Sequence, residues 1–120
     1  MNHFTVLTDD LEATLDFYVG MLGLENGPRP ELGFPGAWLY AGGTAVLHVV
    51  AGRALPEPRS GVIDHMAFSA SGLAGVKAQL DGRRIDYTLR RQAGAGTWQL
   101  FCNDPSGARV ELDFDPAETA

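Results

Sequence analysis

The chain has 120 residues, 15 acidic side chains against 9 Lys and Arg, a net charge of −6, and 45% hydrophobic with 20% charged residues. That length fits one domain, or two small modules sharing a core, and lets roughly two thirds of the unfolded surface be buried without staples. The composition excludes a disordered or fibrous chain, and the acidic balance removes the basic field a phosphate backbone needs, so nucleic acid is not an expected partner.

The single cysteine, Cys102, allows neither an intrachain disulfide nor the paired thiolates of a structural zinc site. The opening Met1-Asn2-His3-Phe4-Thr5 has no basic n-region and no apolar h-region, so no secretory signal is expected and the cytoplasm is the expected compartment. Leu32 to Gly52 carries no Asp, Glu, Lys or Arg and is long enough to cross a bilayer. Gly33, Pro35, Gly36, Gly42, Gly43 and His48 interrupt it, so a soluble β-hairpin rather than a membrane span is predicted.

In chain order, Asn2 to Leu7 reads as a strand with Phe4 and Val6 on one face and His3, Thr5 and Leu7 on the other. Thr8-Asp9-Asp10 is a helix start, and Leu11, Thr14, Leu15 and Tyr18 recur at helical spacing to about Leu22, where Gly23 stops the helix. Gly27 to Gly36 is a loop, and Ala37–Ala41 with Thr44–Val50 forms the hairpin. Ala51 to Gly61 has linker composition. Val62–Ser69 is a second first strand. Ser71 is a cap candidate for a helix carrying Leu73, Val76, Lys77 and Leu80 and ending near Gly82. Asp86–Arg91, Thr97–Cys102 and Ala108–Phe114 are strands, the last two joined by the turn Asp104-Pro105-Ser106-Gly107, and the tail after Asp115 is expected to fray.

The pattern is one strand-helix-strand-strand-strand unit used twice, with one strand weak in the first copy. This places a first module at 1–52, a linker at 53–61, a second module at 62–115 and a tail at 116–120. His3 and His65 differ by 62, as do Leu11 and Leu73, Thr14 and Val76, and Tyr18 and Leu80; His48 and Glu111 differ by 63, and Trp38 and Trp98 by 60. So many matches in corresponding elements indicate internal duplication.

Alternation then sorts the polar residues. Phe4 and Val6, Met66 and Phe68, Leu47 and Val49, and Val110, Leu112 and Phe114 form the faces that take the helices, which leaves His3, His48, His65 and Glu111 pointing the other way. Three imidazoles and a carboxylate on rigid strands are the ligand types a divalent transition metal takes. Each also has a plain structural role open to it, as a polar surface residue or a hydrogen-bonded one.

At these positions the sequence resembles the vicinal oxygen chelate superfamily, which includes glyoxalase I, fosfomycin- and bleomycin-resistance proteins, methylmalonyl-CoA epimerase and type I extradiol dioxygenases. The resemblance covers nearly the whole chain. It is carried by the His3 strand, the Leu11–Gly23 helix with Phe17-Tyr18 and Leu22-Gly23-Leu24, the segment Ile63-Asp64-His65-Met66-Ala67-Phe68, and above all Asp104-Pro105-Ser106-Gly107-Ala108-Arg109-Val110-Glu111-Leu112. It implies an α+β fold of two βαβββ modules around an open, cup-shaped β-barrel. It also implies a divalent metal on His3, His65 and Glu111, with His48 as fourth ligand or as catalytic acid–base beside it. The implied chemistry is chelation of vicinal substrate oxygens.

Enzymes resembling glyoxalase I carry a carboxylate where this chain has His48. Extradiol dioxygenases bind iron through two histidines and a glutamate and place an acid–base histidine comparably. The reading therefore leans to extradiol-dioxygenase-like chemistry with Fe2+. A non-redox lyase or isomerase using Ni2+, Zn2+, Mn2+ or Co2+, and a metal-free binding protein of the bleomycin-resistance kind, are the alternatives. Trp38, Tyr40, Trp98 and Leu100 are the expected substrate-binding wall, a small molecule the expected substrate and a homodimer the expected assembly.

Overall fold

The computed structural model describes residues 1–120 and resolves two units: Met1–Gly61 with Pro105–Gly107, and Val62–Asp104 with Ala108–Ala120. In the first unit the strands are β1 (Phe4–Thr8), β2 (Glu25–Gly27), β3 (Gly36–Ala41) and β4 (Thr44–Ala51), with helix α1 (Leu11–Leu15) after β1. The sheet order is β1-β4-β3-β2, with β1 and β4 parallel and the other pairs antiparallel. The weak strand of the first copy is the three-residue β2. The uncharged stretch is the β3–β4 hairpin, its turn made by Gly42 and Gly43 at φ +57° and +82°, where a side chain would be strained. No helix is long and apolar enough to cross a membrane.

The second unit repeats the arrangement. Its elements are β5 (Met66–Ser69), α2 (Leu73–Gly82), β6 (Tyr87–Arg91), β7 (Trp98–Asn103) and β8 (Arg109–Phe114), and its sheet order is β5-β8-β7-β6 with β5 and β8 parallel. Each sheet buries one face against its helix. Val6, Leu47 and Val49 are 7%, 1% and 1% exposed in the first unit, and Val110, Leu112 and Phe114 are 0%, 2% and 1% exposed in the second. That burial, at about 25 cal/mol per Å2 of apolar surface, is what holds each helix to its sheet.

Local features differ from the expectation, beginning with the strand expected at Val62–Ser69, which starts only at Met66 and leaves Val62 and Ile63 exposed. The first helix does not run uniformly to Leu22: after Leu15 it widens into a π-helical stretch, Asp16–Met21, in which Leu22 N donates to Phe17 O over 3.0 Å. In this stretch neighbouring Phe17 and Tyr18 are both buried, ring edge to ring face at 4.9 Å.

Ser71 does not cap α2. Gly72 holds the cap position in the left-handed region, and the Glu118 carboxylate accepts from Gly72 N at 3.1 Å and Leu73 N at 2.7 Å. An anion on exposed helix N–H groups is the favourable arrangement. This also corrects the frayed tail, because Glu118 is held at its carboxylate and again at its carbonyl, which accepts from Trp98 Nε1 at 2.7 Å.

Candidate functional site

In the first unit, Thr5 and Trp38 stand opposite His48 on neighbouring strands, so all three share the face turned away from α1. The rings form a stack of three. His48 lies 3.8 Å from His3 at 12° and 4.1 Å from Trp38 at 11°. Burial between them pulls the His48 pKa below the ordinary histidine value, and a charge on His3 pushes it the same way. A neutral imidazole is the form a metal needs.

In the second unit, His65 directly precedes β5. Its Nε2 meets Glu111 Oε1 at 2.9 Å, and its Nδ1 meets Asp64 Oδ2 at 2.7 Å. Glu111 is 7% exposed, and its other oxygen accepts from Gln99 Nε2 at 3.2 Å. A hydrogen bond from Asp113 draws the Glu111 pKa down most strongly, with Gln99 and His65 adding to it against the opposing effect of burial. Asp113 is pushed up to about 6, by burial first and then by sharing a proton with Glu111 and facing its charge. Its Oδ1 is buried without a hydrogen-bond partner. Asp64 is held below the ordinary carboxylate range, mainly by its hydrogen bond with His65.

The four residues expected to ligate a metal thus occur as two pairs, His3 with His48 and His65 with Glu111. Within either unit, no group of three or more His, Cys, Asp or Glu side chains forms a metal-holding cluster. The donor chemistry nevertheless fits a divalent metal. Both His65 nitrogens face carboxylate oxygens, and both bonds can be donated only from the doubly protonated ring. A cation at Nε2 would take the place of that second proton, with Asp64 fixing the ring through Nδ1 as metal-bound histidines are usually fixed.

The expected substrate wall divides. Trp38 does lie on the histidine face. Tyr40 donates its hydroxyl to the Pro28 carbonyl and packs its ring over Gly27, where a Cβ would meet Tyr40 Cε1 at 2.7 Å. Trp98 and Leu100 are not on the Glu111 face. Leu100 pairs with Leu112 in the apolar layer and is 0% exposed, while Trp98 carries the Arg91 guanidinium at 3.9 Å and bonds the tail.

The reason is register. Phe101 stands opposite Glu111 as Trp38 stands opposite His48, so the counterpart of Trp38 is Phe101, offset by 63 (101 − 38) like Glu111 from His48, and not Trp98. Applying the His48–Glu111 offset to Trp38 would have found it. The same ladder places Gln99, Asn103 and Arg109 on the Glu111 face, none of which was singled out. Asp64 lies within the Ile63–Phe68 segment. Its adjacency to His65 was the available signal.

The comparisons agree with this fold. The Glyoxalase/Bleomycin resistance protein/Dioxygenase superfamily model matches residues 1–112. The chain belongs to that superfamily. It is 31% identical over 119 residues to Glyoxylase I 4 of Arabidopsis thaliana, covering 93% of this chain and 68% of the relative. Among solved structures it is similar to a glyoxalase family protein from Enterococcus faecalis, with TM-score 0.67, 26% identity and coverage of 94% and 95%. It is also similar to the fosfomycin resistance protein FosX from Listeria monocytogenes, with TM-score 0.74, 16% identity and coverage of 95% and 91%. At that last identity the likeness concerns fold alone.

Proposed function

We propose that the protein is a divalent-metal enzyme of the glyoxalase type, a non-redox isomerase or lyase acting on a small molecule that presents two neighbouring oxygens. His3, His65 and Glu111 hold the metal and His48 is its fourth ligand. The observation that carries this reading is His65 set between Asp64 and Glu111, one nitrogen oriented by an exposed carboxylate and the other facing a buried one at 2.9 Å. When bound, the metal supplies Lewis-acid stabilisation of negative charge developing on a chelated oxygen.

The chain's own residues do the rest. Gln99 fixes the second Glu111 oxygen, which leaves the first for a cation. Trp38 holds the His48 ring in plane. Phe101 gives the Glu111 face an apolar wall, with the His65 ring edge-on to it at 5.6 Å. The glyoxalase name of the 31% identical relative supports the non-redox choice over the oxygenase one.

One feature favours a second reading, in which Fe2+ sits on His3, His65 and Glu111 and His48 is a free acid–base. The His48 ring is stacked on both faces and is therefore oriented without a metal bond. Elemental analysis after anaerobic reconstitution, on wild type and His48→Ala, separates the two. Nickel, zinc, manganese or cobalt bound by wild type and lost in the variant supports the first reading. Iron retained in the variant, with turnover abolished, supports the second. No metal in either protein overturns both and leaves a binding protein.

A further inference from the structure

Beside Glu111 the second unit carries a cavity of about 410 Å3, open to solvent, whose lining includes Asp86, Thr88, Phe101, Asn103 and Arg109. This lies within the size range of small-molecule sites. The Phe101 ring belongs to that lining. Two guanidinium groups lie over that ring, Arg109 at 4.7 Å and Arg90 at 5.3 Å.

Arg109 is held differently from three of the chain's other arginines. Arg29, Arg59 and Arg91 are each tied to a backbone carbonyl, of Phe34, Ser106 and Gly96 respectively. Arg109 has an ion pair with exposed Asp64 at 3.8 Å, beyond hydrogen-bond range, and its side chain is half exposed. A guanidinium fork over an aromatic face in the lining of a cavity suits a planar or tetrahedral oxyanion. Asn103, opposite Arg109 in the ladder, and Thr88, opposite Phe101, add polar groups on the same face. Asp86 at the rim disfavours a ligand of high negative charge.

We infer that this cavity binds the anionic group of the substrate: Arg109 takes a carboxylate, phosphate or phosphonate of a small molecule whose apolar or aromatic body lies on Phe101. Arg109 and Glu111 are one two-residue strand step apart, about 7 Å, so one small ligand can reach both. In naming the substrate class, the inference rests on the metal-enzyme reading. In naming the anion site it stands on the cavity alone.

The test is a titration of the full-length protein, followed by amide NMR shifts, with benzoate, phenylphosphonate and uncharged benzamide. Saturable shifts at Thr88, Asn103 and Arg109 with either anion and none with benzamide are expected. Affinity should fall roughly tenfold in Arg109→Met and be partly kept in Arg109→Lys, because a charge-assisted pair is lost in the first and weakened in the second. Benzoate binding more tightly than phenylphosphonate identifies a carboxylate site, and the reverse order a tetrahedral one.

No saturation with either anion, equal binding of benzamide, or unchanged affinity in Arg109→Met overturns the inference. Parallel metal titration keeps the two ideas separate. A protein that binds metal but no anion refutes only this inference, and one that binds anion but no metal refutes only the metal reading.

Discussion

The Asp64→Asn substitution tests the metal site without touching a proposed ligand. Asp64 Oδ2 stands 2.7 Å from His65 Nδ1 and orients the ring whose other nitrogen faces Glu111. Losing such an orienting carboxylate typically costs 10- to 100-fold in metal affinity. Two observations set the value at the low end. The Asp64 side chain is 75% exposed, so water screens its charge, and Arg109 stands 3.8 Å from the same oxygen and shares it. An asparagine oxygen still accepts the Nδ1 hydrogen bond, without the charge. About a tenfold weakening is therefore expected, measured by competition against a chromophoric chelator, with the unfolding midpoint of the metal-free protein unchanged. Unchanged metal affinity would refute the orienting role. A loss as complete as that of His65→Ala would make Asp64 a ligand and refute the proposed set.

Further outcomes follow from other parts of the structure. Leu100→Ala removes a side chain with no exposure, paired with Leu112 and Leu89, and should cost about 2–5 kcal/mol in urea unfolding; a loss below about 1 kcal/mol would put Leu100 back on an accessible face. Glu118→Ala uncaps α2 and should cost about 1 kcal/mol, lowering Tm by roughly 4 °C; no shift would mean the tail is not docked in solution. Cys102, pushed up to about 11 by burial and then by Asp104, should react with a thiol reagent at pH 8 through only about one thiolate in a thousand, accelerating tenfold per pH unit; free-thiol rates at pH 8 would contradict that burial. Cu2+ or Ni2+ bound at His48 should quench Trp38, whose ring stacks on it, and the quenching should vanish in Trp38→Phe but persist in Trp98→Phe.

Period-two alternation made the faces of β1, β4, β5 and β8 legible, because each has one layer buried against a helix and a single-residue slip would expose it. The same rule failed for β7, where Leu100, Phe101 and Cys102 are all buried. Three consecutive buried residues hide the alternation that Gln99 and Asn103 mark, and the pairing with Glu111 sets the phase. Matching the two tryptophans put the phase one residue out. The π-helical widening after Leu15 and the capping of α2 by Glu118 were illegible for another reason. One depends on backbone hydrogen bonds of a single extra residue, and the other on a contact between residues 45 apart in sequence. His3, His48, His65 and Glu111 could be read as ligand candidates from type and face. Of the partners that tune them, Gln99 needed the register, whereas Asp64 adjoins His65 and Asp113 lies one strand step from Glu111.

Position 48 offers a sharper test of the proposed chemistry than deletion does. Members resembling glyoxalase I carry a carboxylate there, and this chain has an imidazole packed at 3.8 Å and 4.1 Å between two rings. His48→Glu removes both stacking contacts and supplies a harder, charged donor at the same strand position. Ring pairs contribute about 0.5–1.5 kcal/mol each, and this stack is only half buried, so the metal-free variant should lose about 1 kcal/mol of stability. If His48 is a ligand, the variant keeps one metal per site, shifts preference from nickel and zinc towards manganese, and retains turnover. If His48 is a free acid–base beside iron, the metal stays and turnover falls with the loss of the imidazole. A His48→Glu protein that loses metal as fully as His48→Ala would mean that the backbone at position 48 cannot bring a carboxylate to the ion. The ring stack, rather than the donor type, would then be what makes this position work.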